Sequence, residues 1–177
     1  SISGEDLKDG EDYYYDVDAK ELVITGTKPV TVAMAKDVET SADTLRTKGE
    51  AQVTLVNVTI AAPEGKNALE ADGGLELTLV GSNTLTAVDQ AAIYGHEGVI
   101  LSGTGSLTLQ GGTESNGIGT NRLTVTGGTV TVIGGDGAPG TKETAGGSGS
   151  DAVGANVITV TGGSLKLTGG KAGTDDG

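Results

Sequence analysis

The chain has no cysteine, tryptophan or phenylalanine, and one histidine, one methionine and three prolines among 177 residues. Without cysteine it forms neither disulfides nor thiolate metal sites, and that absence leaves its compartment open. A lone histidine excludes any two-histidine mechanism. The aromatics are Tyr13, Tyr14, Tyr15 and Tyr94. A compact globule normally fills a wide core with large rings. Val, Ile, Leu, Ala, Gly and Thr suit a narrow core of uniform width instead. No apolar stretch is long enough to span a bilayer as a helix. Neither a signal peptide nor an initiator Met is present, which predicts a mature or excised fragment. Basic residues are scarce, 11 against 24 acidic ones, for a formal net charge of −13. Nucleic acid and anionic membrane both need clustered Lys and Arg, so both are excluded as partners. Calcium, which takes carboxylate and carbonyl oxygens, is compatible with that balance.

Glycine is abundant, at 32 residues, well above the usual ~7%. It clusters between β-type runs, as turns between strands do. The sequence also repeats. Leu45, Leu69, Ile93, Ile118 and Val153 each follow a small residue, and the copies lie 24, 24, 25 and 35 residues apart. The long interval holds a loop over residues 134–150. Asn57-Val58-Thr59, Thr84-Leu85-Thr86, Ser106-Leu107-Thr108, Thr129-Val130-Thr131 and Ser164-Leu165-Lys166 repeat in step. Leu123-Thr124-Val125-Thr126-Gly127-Gly128 and Ile158-Thr159-Val160-Thr161-Gly162-Gly163 form a third matched pair. Period-two alternation means strand, and paired glycines mark corners.

These repeats predict an all-β chain: a right-handed parallel β-helix of about six coils, each of three short strands. One coil cannot bury its apolar side alone, but a stack can, and parallel crossovers are right-handed in nearly all cases. The expected core files are Leu45–Leu69–Ile93–Ile118–Val153 and Val58–Leu85–Leu107–Val130–Leu165. Residues 1–20 break the repeat and read as a cap over an edge that would otherwise pair with another chain. Residues 21–177 make up the helix. No cap is visible at the C-terminus. Either coils are missing there or a protein partner covers that edge.

The motifs Leu55-Val56-Asn57-Val58-Thr59-Ile60, Leu77-Thr78-Leu79-Val80-Gly81-Ser82-Asn83-Thr84-Leu85, Gly103-Thr104-Gly105-Ser106-Leu107-Thr108 and Leu123-Thr124-Val125-Thr126-Gly127-Gly128-Thr129-Val130 resemble the carbohydrate-binding β-helix proteins of clostridia and other Firmicutes. Some of that family look like calcium-dependent pectate lyases but bind plant cell-wall polysaccharide. The resemblance covers residues 20–170. It implies a secreted or wall-attached protein, calcium and a polysaccharide ligand. Analogy of fold does not establish function.

Three surfaces are candidates. With Leu45, Leu69 and Ile93 inside, Arg46, Glu70 and Tyr94 point out in one file and Lys48, Asp72 and His96 in the next. A tyrosine stacked on a sugar, with carboxylates bonding its hydroxyls, is a recurrent way to hold polysaccharide. The competing reading is a solvated face with Arg46–Glu70 and Lys48–Asp72 ion pairs, worth ~0–1 kcal/mol each. Gly146 to Val153 matches the calcium-binding nonapeptide pattern of repeat toxins, and Gly134-Gly135-Asp136-Gly137 is a partial second copy. Asp136 and Asp151 are the metal candidates there. Asp151 also aligns with Asp43, Asn67 and Asn116, where such side chains hold turns. Thr59, Thr86, Thr108 and Thr131 are expected in one outward file, beside Asn57, Thr84, Ser106 and Thr129, a grid of the kind seen on ice-binding β-helices. Lyase chemistry would need Arg46 or Lys48 as a base beside calcium-binding carboxylates, and nothing in the sequence desolvates either. The reading is therefore a non-enzymatic extracellular module that binds polysaccharide. A structural or adhesive stalk is the alternative.

Overall fold

A computed structural model describes residues 1–141 and 144–174. These residues form strands and turns and no helix. Strands stack in parallel in three files that wind as a β-solenoid. The first face runs through Glu21–Ile24, Thr44–Thr47, Leu69–Ala71, the start of Ile93–Gly103, the start of Ile118–Val125, and Val153–Gly154. The second runs through Val30–Ala33, Ala51–Val56, Leu75–Val80, the later halves of those two long strands, and Val157–Val160. The third is a sheet of 5 strands: Thr59–Ala61, Ser82–Thr86, Ser106–Gln110, Thr129–Ile133 and Ser164–Thr168. Those five strands make about five turns, with a sixth strand on each of the first two faces, close to the coil number expected.

The inward residues account for the stack. Leu45, Leu69, Ile93, Ile118 and Val153 are consecutive register partners, and the first four are at most 2% exposed. Val30, Val53, Leu77, Leu101 and Val125 do the same on the second face, all buried. Each such side chain contributes roughly 1.5–3 kcal/mol by leaving water.

The third face keeps the expected register for Leu107, Val130 and Leu165 and departs from it at one rung. Leu85 pairs with Ile60 and Leu109, and the residue opposite Leu107 is Asn83. The core files are thus Ile60–Leu85–Leu109–Val132–Leu167 and Asn83–Leu107–Val130–Leu165. Asn83 is 1% exposed and all its polar atoms are bonded. Its Oδ1 accepts from the Val58 N–H at 2.9 Å, and its Nδ2 donates to the Val80 and Ser106 carbonyls, both at 3.2 Å. A polar residue so satisfied sits in an apolar file without the usual burial penalty. The two-residue shift also redraws the hydroxyl array. Thr59, Thr84, Thr108, Thr131 and Lys166 form one outward file, with Thr86 in the next beside Gln110, Ile133 and Thr168. Lys166, Gln110 and Ile133 interrupt the regular threonine grid.

At the N-terminal end, Tyr13–Asp16 folds back antiparallel on Glu21–Ile24 through a turn at residues 17–20, and Ile2–Ser3 pairs antiparallel with Val30–Ala33. Both replace an open parallel edge with antiparallel pairing. The glycine-rich residues 134–140 and 146–150 are laid against their neighbours by backbone bonds. Gly137 donates to Lys171, Ser150 to Gly135, and Gly170 and Gly173 to Ser150 and Gly147. A Cβ on Gly135 would overlap the carbonyl oxygen of Gly112 in the rung before. Glycine is needed there for this close approach. Lys142, Glu143, Asp175, Asp176 and Gly177 lie outside the described residues.

Candidate functional site

The first face sets Arg46, Glu70 and Tyr94 in register on successive rungs, with Gly119 next. Their inward neighbours are the core file, and strand alternation turns these side chains outward. Lys48, Asp72 and His96 follow two residues on. The strand carrying Tyr94 and His96 shifts register between Gly95 and Gly98, and His96 lies in that bulge.

Arg46 is the hub. Its Nη2 lies 2.8 Å from Asp72 Oδ1, its Nε lies 3.2 Å from Asp72 Oδ2, and Nη2 is 3.4 Å from Glu70 Oε1. A planar fork closed on a carboxylate is the strong, oriented form of ion pair. The Asp72 hydrogen bond holds the guanidinium above its ordinary pKa, with Glu70, Asp72 and Glu21 adding charge attraction against some loss from burial. Arg46 is therefore a fixed cation.

The expected Lys48–Asp72 pair does not form in this arrangement. Lys48 turns toward the cap, where its Nζ donates to the Tyr14 hydroxyl at 3.2 Å and stands 5.7 Å from the centre of that ring. Arg46 is long enough to reach diagonally to Asp72 and takes its place. Glu70 is engaged on both oxygens. Oε2 accepts from Asn67 Nδ2 at 3.3 Å, and Oε1 is 3.8 Å from His96 Nε2.

Tyr94 and His96 meet edge to face, with ring centroids 4.9 Å apart and planes at 86°. On the next rung Gly119 leaves room for the tyrosine. A Cβ there would stand 3.0 Å from Tyr94 Cδ2. The Tyr94 ring is thus held between a glycine floor and the imidazole, and stays 41% exposed. It borders a cleft of about 460 Å³ whose walls include Asn67, Glu70, Gln90, Glu114 and Asn116. Sequence reading found Glu70, Tyr94 and His96. It assigned Asn67 and Asn116 to turns and did not place them, Gln90 or Glu114 at this cleft, because they lie outside the repeated outward positions.

Among the described residues, Glu70, Asp72 and His96 are the one group of three whose ligand atoms come together, all within 4.8 Å of one another. They do not fit calcium well. Calcium takes six to eight oxygens, whereas this group offers an imidazole and two carboxylates already held by Arg46. In the glycine-rich stretch, Asp136 Oδ1 accepts the Lys171 N–H at 2.7 Å, and Asp151 is exposed. Neither Asp136 nor Asp151 joins a third such ligand among the described residues. The glycines of the nonapeptide-like stretch serve close backbone stacking.

No family model, no curated protein and no solved structure matches this chain.

Proposed function

We propose that the chain is a non-catalytic extracellular module that binds polysaccharide on the face around Tyr94. One observation carries this reading. An exposed tyrosine, oriented by Gly119 and His96, stands beside a polar cleft walled by amides and carboxylates. An aromatic face takes the C–H surface of a sugar while side-chain amides and carboxylates bond its hydroxyls. The ring loses little freedom on binding, because its position is already set. The resemblance of the strand motifs to clostridial and other Firmicute carbohydrate-binding β-helices points the same way.

The non-catalytic part rests on Arg46 and Lys48. A lyase base must give up its proton near working pH. Arg46 is held protonated by Asp72, and Lys48 turns away toward Tyr14. Calcium-assisted binding would require Arg46 to release Glu70 and Asp72, so binding is proposed to proceed without it.

Retention on a panel of insoluble polysaccharides, with Tyr94→Ala as control, tests the proposal. The wild type is expected to be retained by at least one polysaccharide and the variant to be lost from it. If no polysaccharide is retained, the proposal fails.

A second reading, a stalk or adhesive module, draws on a different observation. The last described rung leaves Val157, Ile158, Val160 and Leu167 between 41% and 49% exposed. Such an edge can take a protein partner. That reading is preferred if the wild type ignores every glycan yet self-associates, and if charged substitutions at Ile158 and Val160 abolish the association.

A further inference from the structure

We propose that the glycan taken by the Tyr94 face carries free amines, as a deacetylated aminosugar polymer does, and not carboxylates. This rests on the binding reading above and adds the ligand's charge.

Glu70 and Glu114 both line the cleft, and among the described residues no Lys or Arg does. Arg46, in register with Glu70 on the adjacent rung, has its single charge set against two carboxylates, Glu70 and Asp72. With His96 counted neutral, the formal charge of that cluster is −1, from one cation and two carboxylates. Glu114 is exposed, and its carboxylate has the backbone N–H of Ala138, at 3.4 Å, as a neutral partner. The chain as a whole carries a formal net charge of −13, so its wider field has the same sign.

A polyuronate would bring one carboxylate per sugar against these groups. Like charges brought together at an interface are strongly unfavourable and suppress the wrong partner. A neutral glycan avoids the repulsion but leaves Glu114 without a cation. An ammonium group on the sugar can form a charge-assisted bond to Glu114 or Glu70. It can also lie over the open face of Tyr94, where the ring attracts cations. The cell-wall polyuronates that a pectate-lyase-like resemblance suggests are the ligands this charge pattern disfavours.

Calorimetric titration at one low ionic strength tests the inference with three soluble probes: a glucosamine tetramer, its fully N-acetylated form and a galacturonate tetramer. The first two share a backbone and differ in the charged amine. The glucosamine tetramer is expected to bind about tenfold tighter than the acetylated one, a difference one charge-assisted bond can supply. The galacturonate tetramer is expected not to bind. Glu114→Gln should weaken the glucosamine tetramer several-fold. Glu76→Gln, an exposed carboxylate on the second face, should not. Circular dichroism confirms folding, and Glu70→Gln replaces Glu114→Gln if that variant is unfolded. Equal or tighter binding of the acetylated or galacturonate tetramer overturns the inference and leaves the binding reading standing. Equal weakening by Glu76→Gln also overturns it, because the attraction would then be to overall charge. If none of the three binds, the inference fails. If insoluble polysaccharides also fail to retain the protein, the binding reading fails as well.

Discussion

The guanidinium of Arg46 is closed on Asp72 by two hydrogen bonds, at 2.8 and 3.2 Å, across one step of the solenoid. That closure, with the Arg46–Glu70 pair, commits both carboxylates of the Glu70, Asp72 and His96 group to a protein cation. Calcium added to the wild type is expected to leave the melting temperature unchanged, since a ligand stabilises only by binding the native state. Arg46→Met, which keeps bulk but removes the charge, should expose the carboxylates and make the melting temperature rise with added divalent cation. A calcium-dependent rise in the wild type would show that Arg46 does not block the site.

Asn83 carries a prediction about the core. Asn83→Ala leaves the buried Val58 N–H without its acceptor and takes one donor from the Val80 and Ser106 carbonyls, of which Val80 keeps the Asn57 N–H at 3.2 Å. Each buried group so orphaned costs about 1–3 kcal/mol. Urea unfolding should show a loss of at least that size. A loss below it would mean that water reaches those groups.

Thr47 predicts the opposite sign. Its side chain is fully buried and its hydroxyl has no partner. Thr47→Val keeps the branched shape and removes the unpaired oxygen. Stability in urea should rise by roughly 1 kcal/mol, the low end of the cost of such a group. A fall would reveal a hydrogen-bond partner for that hydroxyl.

The cap has its own pH signature. Asp12 lies 2.9 Å from Lys28 Nζ and accepts the Lys8 N–H. Lys28 first, then that backbone bond, hold its carboxyl below its ordinary 3.8. A depressed carboxylate pKa adds stability above the unfolded value and loses it as pH falls through the folded value. Melting curves of wild type and Asp12→Asn should therefore converge as pH drops below 3.8. A constant gap across that range would show that the carboxylate charge is not what holds the cap.

The first face was legible in the sequence because Leu45, Leu69, Ile93 and Ile118 recur at nearly constant spacing, and the inside–outside alternation then placed Arg46, Glu70 and Tyr94. On the third face Leu107, Val130 and Leu165 share the expected file, and the rung of Leu85 alone lies two residues out of step with it, because the repeat calls for an aliphatic inside. Asn83 is inside but polar, so Leu85 was matched to Leu107 in its stead. Lys48 diverged because its partner, Tyr14, belongs to the cap, which lies outside the repeat. The floor that Gly119 makes under Tyr94 is a fact of packing between rungs, and one residue's identity does not announce it.

Proton NMR of the ring resonances tests the central claim most directly, because the chain has one histidine and one tyrosine away from the cluster at Tyr13, Tyr14 and Tyr15. The glucosamine tetramer is titrated at fixed pH. The rings of Tyr94 and His96 are expected to shift together and saturate, with the other three tyrosines unmoved. Shifts confined to Tyr13, Tyr14 and Tyr15, or no saturable shift at Tyr94 and His96 with any oligosaccharide, would contradict a binding face at this site.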